Sequence, residues 1–337
     1  MTVRLGINGC GRIGRDILRN VLETPDSPVE VVAVNDITSP EMLAHLRAFD
    51  STYGRLHTPV EVVDGEALRV GDQLIQVTAQ TDPATLPWAE YGVDVVVEST
   101  GKVRTREAAA AHLAAGARKV VISAPGKDVD ATIVLGVNED TYDPAKHHVI
   151  SDASCTTHCV APMVKVPHSA FGIRRGLLTT IHSYTGDQTL LDRPHQDPRR
   201  ARSAAVNMVP TSTGAAKAVG LVLPELAGKL DGVAIRVPVE DGSLTDLTVE
   251  LERPVTIEQV NHAFAGAADG VSRESCATAR LPLVSRDIIG DPASCVFDAP
   301  LTKADSHLAK VFGRYDNEWG YAARTVELVE LIGRSLA

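Results

Sequence analysis

The chain has 337 residues, of which 44% are hydrophobic and 23% charged, and its formal net charge is −10 at pH 7. This length and composition are typical of a globular protein with two domains, and the acidic balance excludes a basic face spread over the molecule for nucleic acid. No apolar run approaches the ~20 residues that span a bilayer, no signal peptide is recognisable and only five cysteines are present, so we expect a cytoplasmic protein with neither nucleic-acid nor membrane partners.

The first half of the chain alternates short β-branched runs with helical segments. The predicted strands are 3–8, 29–35, 93–98, 119–123 and 149–151, and the predicted helices are 12–22, 40–49 and 105–115. Alternating strands and helices indicate a parallel sheet with helices on both faces. We therefore predict a doubly wound α/β domain.

A glycine motif, G-x-G-x-x-G, joins the first predicted strand to the first helix. Gly9 permits a tight turn, Gly11 lets the backbone approach a pyrophosphate, and Gly14 allows close helix packing. Asp36 ends the next strand, roughly 20 residues beyond the motif, where a carboxylate accepts hydrogen bonds from ribose hydroxyls and repels a 2′-phosphate. The pattern predicts a Rossmann domain over residues 1–153 with NAD as its cofactor.

Two further loops follow later strands of this domain, at 98–101 and 123–126. Loops at the carboxyl ends of parallel strands line the ligand crevice. Thr100 and Ser123 are therefore candidate cofactor contacts, with ordinary turn chemistry as the alternative.

The segment 151–159 places a thiol between a strand and a helix. Cys155 follows the apolar run 148–150 and precedes the helical stretch 160–166. A helix N-terminus carries unpaired N–H groups and a partial positive charge, which stabilise a thiolate, the nucleophilic form of cysteine. We predict that Cys155 is a catalytic nucleophile.

A nucleophilic thiol beside a dinucleotide site predicts oxidation of an aldehyde through a thioester. The thiolate adds to the carbonyl to give a hemithioacetal, hydride leaves to NAD, and the acyl group passes to an acceptor. This chemistry needs a base, and histidine is suited to neutral pH. His182, at the end of an apolar run, is the candidate, although its sequence position alone does not place it beside Cys155.

The second half of the chain has a different pattern of strands and helices. Its predicted strands are 177–184, 232–238, 244–252 and 294–297, and its predicted helices are 214–223, 257–268 and 322–336. Asp-Gly turns punctuate the strands. We predict an α+β domain with a mostly antiparallel sheet. The change in the pattern of strands and helices places the domain boundary near residue 153.

Two polar segments of the second half are typical of anion sites. Residues 193–202 are rich in arginine, and residues 210–214 offer hydroxyl groups just before a helix. A solvated loop and a simple helix cap are the alternatives. Cys155, His158 and Cys159 do not complete a four-ligand metal site, so we predict no metal.

Together these segments resemble the phosphorylating, NAD-dependent glyceraldehyde-3-phosphate dehydrogenase family over essentially the whole chain. The matching motifs, in chain order, cover residues 8–15, 153–157, 180–185, 199–202, 210–217, 236–238 and 315–321. The resemblance implies oxidation of D-glyceraldehyde 3-phosphate to 1,3-bisphosphoglycerate with NAD and inorganic phosphate, in glycolysis or gluconeogenesis.

The resemblance also implies roles for individual residues. Cys155 is the nucleophile and His182 the base. The substrate's own phosphate is bound by Thr185 and Arg236. The attacking phosphate is bound by Ser154, Arg200, Thr213 and Gly214, and Thr156 lies in the same segment. The NAD site consists of Gly9, Gly11, Arg12, Ile13, Gly14, Asp36, Thr100 and Ser123. Asn317 holds the nicotinamide carboxamide, and Tyr321 lies nearby.

For the domains, the resemblance implies a catalytic domain over 154–318 and a C-terminal helix, 319–337, that docks back on the first domain. It further implies a homotetramer in which the loop 184–206 contacts the cofactor site of a neighbouring subunit.

The chain departs from the family beside its thiol. Asp152 and His158 stand where the family has asparagine. An added acid raises a thiol pKa and a charged imidazole lowers it. We hypothesise a remodelled pocket and an isoform with altered sensitivity to thiol-directed inhibitors; neutral drift is the alternative.

Other departures are Cys10 in place of an aromatic residue, Pro198 before the arginine run, Pro167 in or just beyond the catalytic helix, and Arg193 in place of leucine. Since Arg193 is able to attract a 2′-phosphate, weak NADP use is a hypothesis alongside the NAD assignment.

Two other functions remain open from the sequence. Erythrose-4-phosphate dehydrogenase shares the thiol, the base and the Rossmann site but acts on a longer aldehyde. A cofactor-binding protein recruited for interactions is the alternative from another class, although it has no need of a thiol, a base and two anion sites together.

Overall fold

The computed structural model describes residues 2–24, 26–269 and 275–336. These residues form two compact units. The first unit takes the described residues of 1–133, 140–153 and 322–337, and the second takes those of 134–139 and 154–321. The domain limits at 153 and 318 stay predictions.

A parallel sheet is the centre of the first unit. The strands of this unit, in chain order, are β1 (Val3–Asn8), β2 (Val29–Asn35), β3 (Phe49–Asp50), β4 (Gly54–Arg55), β5 (Val60–Val63), β6 (Ala67–Val70), β7 (Gln73–Thr78), β8 (Val95–Glu98), β9 (Lys119–Ile122), β10 (Ala131–Thr132) and β11 (Val149–Ser151). The sheet order is β10-β11-β9-β8-β1-β2-β7-β6-β5, and β3 pairs with β4 separately.

Neighbouring strands from β10 across to β7 are parallel, whereas β7, β6 and β5 form an antiparallel meander. The central strands are almost entirely buried, as expected when helices cover both faces. The predicted doubly wound α/β class is confirmed. Strands β5, β6 and β7 were not predicted, because their burial is irregular and polar turn residues interrupt them.

Three helices of the first unit are α1 (Arg12–Glu23), α2 (Pro40–Ala48) and α3 (Arg106–Ala114). The N-termini of α2 and α3 are capped by Ser39 and Thr105, whose side chains accept backbone N–H groups. In contrast, α1 starts after Gly11 and has no side-chain cap. Its N-terminal N–H groups are therefore available to a ligand.

The second unit contains a mostly antiparallel sheet. Its strands are β12 (Ile173–Ser183), β13 (Val209–Ser212), β14 (Leu230–Val237), β15 (Ser243–Leu251), β16 (Cys276–Ala279), β17 (Cys295–Asp298), β18 (Lys303–Asp305) and β19 (Leu308–Tyr315). The order is β13-β14-β12-β15-β19-β17-β16, with β18 also on β19. Among the described strands, β12 with β14 and β16 with β17 are the parallel pairs. The predicted α+β class is confirmed.

The remaining helices are α4 (Cys155–Phe171), α5 (Ala215–Val222), α6 (Ile257–Ala268) and α7 (Trp319–Arg334). Residues 156–164 of α4 are all buried, so this helix is a core element of the second unit. Pro162 and Pro167 both lie inside α4, and each removes one backbone N–H from its helical ladder. In the part of the chain that the structure describes, no helix has the length and apolar character of a membrane span.

Candidate active site

Cys155 is the first residue of α4. Strand β11 ends at Ser151, and Ala153 then adopts a left-handed conformation with φ of +50°, which is uncommon for a residue with a Cβ. Ser154 caps the helix, since its Oγ accepts the backbone N–H of Thr157 at 3.1 Å. The cap fixes the first turn of the helix and with it the position of the thiol.

The thiol of Cys155 meets the imidazole of His182 from the end of β12. The distance from Cys155 Sγ to His182 Nε2 is 3.4 Å. His182 Nδ1 lies 2.7 Å from the carbonyl oxygen of Ser183, which only accepts, and 3.2 Å from Arg236 Nη1, which only donates; the shorter contact favours the proton of the neutral ring on Nδ1. The lone pair on Nε2 therefore faces the thiol, and this is the arrangement that a general base requires.

Burial and positive charge set the protonation of this pair. Burial raises the pKa of the Cys155 thiol, while the Arg236 guanidinium and hydrogen bonds from Thr156 lower it. Burial lowers the pKa of His182 to about 3, and Arg236 adds to the shift. At neutral pH the imidazole is therefore uncharged, and both shifts favour the neutral thiol–imidazole pair over the thiolate–imidazolium pair.

Arg236 lies directly across from His182, because the parallel strands β12 and β14 pair these two residues. Its Nη1 donates to the carbonyl oxygen of Ser183 at 3.0 Å and to the hydroxyl of Thr185 at 3.2 Å. Burial lowers the pKa of this guanidinium. The structure thus brings together the two residues predicted to bind the substrate's phosphate, beside the base.

Arg200 is the second cation of the site. It donates to Thr211 Oγ1 at 3.0 Å and to Asp187 Oδ2 at 2.8 Å. Its positive charge nevertheless acts on His182 and Arg236, since it contributes to the lowered pKa values of both groups. Two guanidinium groups in this region create a positive potential suited to anions.

The other residues predicted for the attacking phosphate divide into two groups. Thr213 accepts the N–H of Ala215 at 3.2 Å, and Gly214 caps α5 with open space where a Cβ would lie. Thr156 differs, because its buried hydroxyl lies 3.1 Å from the hydroxyl of Tyr315. The side chain of Thr156 thus faces the core, and any contact it makes to phosphate is through its backbone.

Two residues predicted near the nicotinamide are fixed by polar and ring contacts. The Asn317 side-chain oxygen accepts the hydroxyl of Ser243 at 2.6 Å. The ring of Tyr321 meets the ring of His158 edge to face, with centroids 5.5 Å apart. His158 is one of the two departures beside the thiol, and in this chain its ring is in contact with Tyr321.

Asp152, the other departure, is fully buried in the first unit. Its carboxylate accepts the hydroxyl of Thr325, a residue of α7, at 2.6 Å. Asp152 therefore contacts α7 within the first unit.

A cofactor-sized pocket of about 370 Å³ lies at the carboxyl ends of β1, β2, β7 and β8. Gly9, Gly11, Asp36 and Thr100 line it, and the lining that sequence reasoning missed includes Asn8, Asn35, Gln80 and Lys102. Asn8 and Asn35 each end a strand, which is the signal that identifies crevice residues in parallel sheets.

The glycine motif meets the steric requirements of a dinucleotide turn. Gly9 has φ of +93°, and a Cβ there would lie 2.6 Å from the backbone N of Thr100. A Cβ on Gly14 would lie 2.1 Å from the Gly9 oxygen, whereas Gly11 faces open space. Gly14 therefore serves packing, and Gly11 leaves room for a ligand.

The other predicted cofactor residues take supporting positions. The two oxygens of Asp36 accept the N–H groups of Cys10 (2.8 Å) and Thr38 (3.0 Å), which orients the carboxylate on the pocket wall. Arg12 is paired with Asp50, Ile13 is half-buried, and Ser123 donates its N–H and hydroxyl to the Glu98 carbonyl oxygen. Arg12, Ile13, Gly14 and Ser123 are outside the lining of this pocket.

Comparisons with known proteins agree with this geometry. Residues 3–106 match the model for the NAD binding domain of glyceraldehyde 3-phosphate dehydrogenase, and residues 154–317 match the model for its C-terminal domain. The chain belongs to the glyceraldehyde-3-phosphate dehydrogenase family. It is an NAD-dependent oxidoreductase, and the predicted cofactor is confirmed.

Relatives in this dehydrogenase family match the chain over its full length. The chain is 55% identical to glyceraldehyde-3-phosphate dehydrogenase from Mycobacterium avium over 340 residues and 54% identical to glyceraldehyde-3-phosphate dehydrogenase 2 from Streptomyces arenae over 336 residues, with 100% of each chain covered. It is 55% identical to the Geobacillus stearothermophilus enzyme over 333 residues, covering 98% of both chains.

The cysteines are also candidate metal ligands. Among the residues that the structure describes, no three His, Cys, Asp or Glu side chains are grouped as metal ligands. Cys159 donates to the sulfur of Met163 at 3.6 Å. All five cysteines are free thiols.

Proposed function

We propose that the chain catalyses the phosphorylating oxidation of D-glyceraldehyde 3-phosphate to 1,3-bisphosphoglycerate, with Cys155 as nucleophile and His182 as base. The observation that carries this proposal is the 3.4 Å contact between Cys155 Sγ and His182 Nε2, with the Nδ1 proton held by Ser183. The proposal extends to the catalytic domain 154–318 and to an NAD domain, 1–153, completed by the helix 319–337.

The first half of the reaction forms a carbon–sulfur bond. His182 Nε2 takes the proton of Cys155 as the sulfur adds to the aldehyde carbon, and the product is a hemithioacetal. His182 gives this proton to the carbonyl oxygen, which becomes the hydroxyl of the adduct, and takes it back when the hydride leaves. Bound NAD would supply the acceptor for the hydride that leaves the same carbon. The bound acyl group is left as a thioester.

The second half transfers the acyl group to phosphate. An oxygen of inorganic phosphate attacks the thioester carbon, the carbon–sulfur bond breaks, and Cys155 leaves as a thiolate. Arg200, Thr213 and Gly214, together with Ser154, are the proposed binding groups for this phosphate. Arg236 and Thr185 hold the substrate's own phosphate. Protonated His182 stabilises the negative oxygen that develops during the attack.

The deciding assay follows NADH formation from glyceraldehyde 3-phosphate with and without inorganic phosphate. We expect sustained turnover only with phosphate, because the thioester otherwise accumulates on Cys155. Erythrose 4-phosphate, run in parallel, is expected to be the poorer substrate. Equal rates without phosphate, or a preference for erythrose 4-phosphate, would contradict the proposal.

Asp36 is proposed to select NAD over NADP. We expect Asp36→Ala to raise the KM for NAD about tenfold and to narrow the preference for NAD, since the variant loses ribose hydrogen bonds and the repulsion of a 2′-phosphate. Steady-state rates with both cofactors measure the effect. Asp128→Ala, which removes an exposed carboxylate of the same unit, is the matched control.

The same assay tests Arg193. If Arg193 attracts a 2′-phosphate, Arg193→Leu lowers the residual activity with NADP and leaves activity with NAD unchanged. A wild-type preference for NADP would refute the assignment of Asp36.

We propose that Asp152 and His158 give this isoform an altered sensitivity to thiol-directed inhibitors. Replacing both by asparagine removes a buried carboxylate before Cys155 and the ring that supports Tyr321. We expect the rate of inactivation by iodoacetamide to change at least about twofold, since neighbouring charges shift a thiol pKa. Equal inactivation rates for the double variant and the wild type would end this proposal.

A homotetramer in the cytoplasm completes the proposed function. The loop 184–206 and the residues just after it expose Leu190, Leu191, Val206 and Met208, each at least 74% accessible. Four large apolar side chains exposed within one segment support burial against another subunit. Light scattering after size exclusion tests the assembly, and a monomer at working concentration would contradict it.

A further inference from the structure

A chain of buried polar side chains lies within the first unit, next to the cofactor pocket. Trp88, Glu98 and His112 are each at most 1% exposed. Trp88 Nε1 donates to His112 Nδ1 at 3.0 Å, and His112 Nε2 lies 3.0 Å from Glu98 Oε2. None of these three residues lines the pocket.

The tautomer of His112 follows from its two neighbours. The indole N–H of Trp88 is a donor only, so His112 Nδ1 is an acceptor. The proton of the neutral imidazole is then on Nε2, where it is donated to the Glu98 carboxylate. The hydrogen bond from Trp88 therefore makes His112 a donor to Glu98.

Glu98 connects this buried pair to the pocket. Its Oε2 also accepts the side-chain N–H of Asn8 at 2.5 Å, and its Oε1 accepts both the N–H of Thr100, at 2.9 Å, and the Thr100 hydroxyl. Four donors therefore satisfy one buried carboxylate, as a buried charge requires. Asn8 and Thr100 line the cofactor pocket, so Glu98 sets the positions of two lining residues.

The network continues across the ends of the neighbouring strands. Asn35 donates to Asn8 Oδ1 at 2.7 Å, and Asn35 Oδ1 accepts the backbone N–H of Gln80 at 2.8 Å and the hydroxyl of Thr78 at 2.9 Å. Asn35 and Gln80 also line the pocket. Residues at the ends of β1, β2 and β8, and Gln80 just after β7, are thus fixed by one set of hydrogen bonds.

We propose that His112 is a positioning residue for NAD, acting through Glu98 on Asn8 and Thr100. It touches neither cofactor nor substrate. Removing its N–H leaves the Glu98 carboxylate with one donor fewer. Glu98 then holds Asn8 and Thr100 less firmly in the positions that line the pocket. This inference concerns cofactor binding and is independent of the chemistry proposed for Cys155.

The test measures the Kd for NAD by calorimetry, together with KM for NAD, KM for the aldehyde and kcat. Loss of a hydrogen bond to a buried charge is expected to raise the Kd and KM for NAD about tenfold in His112→Leu. The KM for the aldehyde and kcat at saturating NAD are expected to stay within about twofold, because the reacting groups are untouched.

His112→Gln is the matched variant, since its side-chain NH₂ is able to replace Nε2–H as the donor to Glu98. We expect it to recover most of the NAD affinity that His112→Leu loses. A His112→Leu protein with a lower Tm and an unchanged Kd would show that His112 is purely structural. Equal Kd values for the Leu and Gln variants would also overturn the proposal.

Trp88→Phe keeps the proposal testable if His112→Leu does not fold. The variant retains an aromatic ring but removes the donor that fixes the His112 tautomer. We expect the Kd for NAD to rise about threefold, as for loss of a neutral hydrogen bond. An unchanged Kd in folded Trp88→Phe would refute the role of the tautomer.

Discussion

Cys155→Ser is expected to lower kcat for aldehyde oxidation by at least about 10³-fold, because removal of a catalytic nucleophile leaves only binding contributions. The serine hydroxyl occupies the same place at the start of α4, 3.4 Å from His182 Nε2 in the parent structure. Its oxygen is far less readily ionised than sulfur, so neither the hemithioacetal nor the thioester forms at a useful rate.

The variant separates chemistry from binding. NAD affinity, measured by calorimetry, is expected to be unchanged, because the pocket at β1, β2, β7 and β8 belongs to the first unit and contains no part of α4. Cys276→Ala is the matched control, since it removes another buried free thiol that the mechanism does not use. Near wild-type turnover by Cys155→Ser would refute thiol catalysis and favour a protein that only binds the cofactor.

His182→Asn is expected to lower kcat about 10²–10⁴-fold, the usual range for loss of a general base. Asparagine preserves approximate size and a hydrogen-bonding group but cannot take a proton from Cys155. The thiol must then ionise to solvent against the burial that raises its pKa. The pH profile of Cys155 alkylation should therefore move to higher pH in this variant.

Alkylation rates between pH 5 and 10 measure this shift. The comparison is wild type, His182→Asn and His147→Asn, the last of which changes a histidine of the other unit. An alkylation profile unchanged by His182→Asn would show that the imidazole does not accept the thiol proton.

The same substitution has a predicted effect on acid stability. The pKa of His182 is lowered from 6.5 to about 3 by folding, so the unfolded state binds its proton first as the pH falls. The stability due to neutral His182 is fully present above the ordinary pKa and is lost between the two values. We expect the Tm of His182→Asn to fall less than that of the wild type on acidification from pH 7 to pH 4.

Local sequence patterns determined much of this protein. Alternating strands and helices predicted the parallel sheet, and the glycine motif predicted the turn from β1 into α1. Both signals depend on residues close together in the chain, where backbone preference and steric space are fixed locally. The same is true of Cys155, whose position at a helix start is set by its immediate neighbours.

Some local patterns were silent or left alternatives open. The meander β5–β7 gave no clear alternation, and the sequence placed Pro167 in α4 or just beyond it; the structure has it inside the helix, which continues to Phe171. The hydroxyl of Thr156 lies against Tyr315, and the place of Thr156 in a phosphate site stays a prediction. These features depend on contacts with distant parts of the chain, which a local pattern does not contain.

By itself, the sequence determined that an NAD-binding domain is present, and it predicted a nucleophilic thiol, a base and two anion-binding segments. Only the tertiary structure decided their arrangement. Parallel pairing of β12 with β14 places Arg236 across from His182, and the packing of α4 brings Cys155 to His182 Nε2. Burial then set the directions of the pKa shifts, and the contact with Trp88 set the donor role of His112. Strand register and burial arise from contacts between residues far apart in sequence, and a local pattern does not contain them.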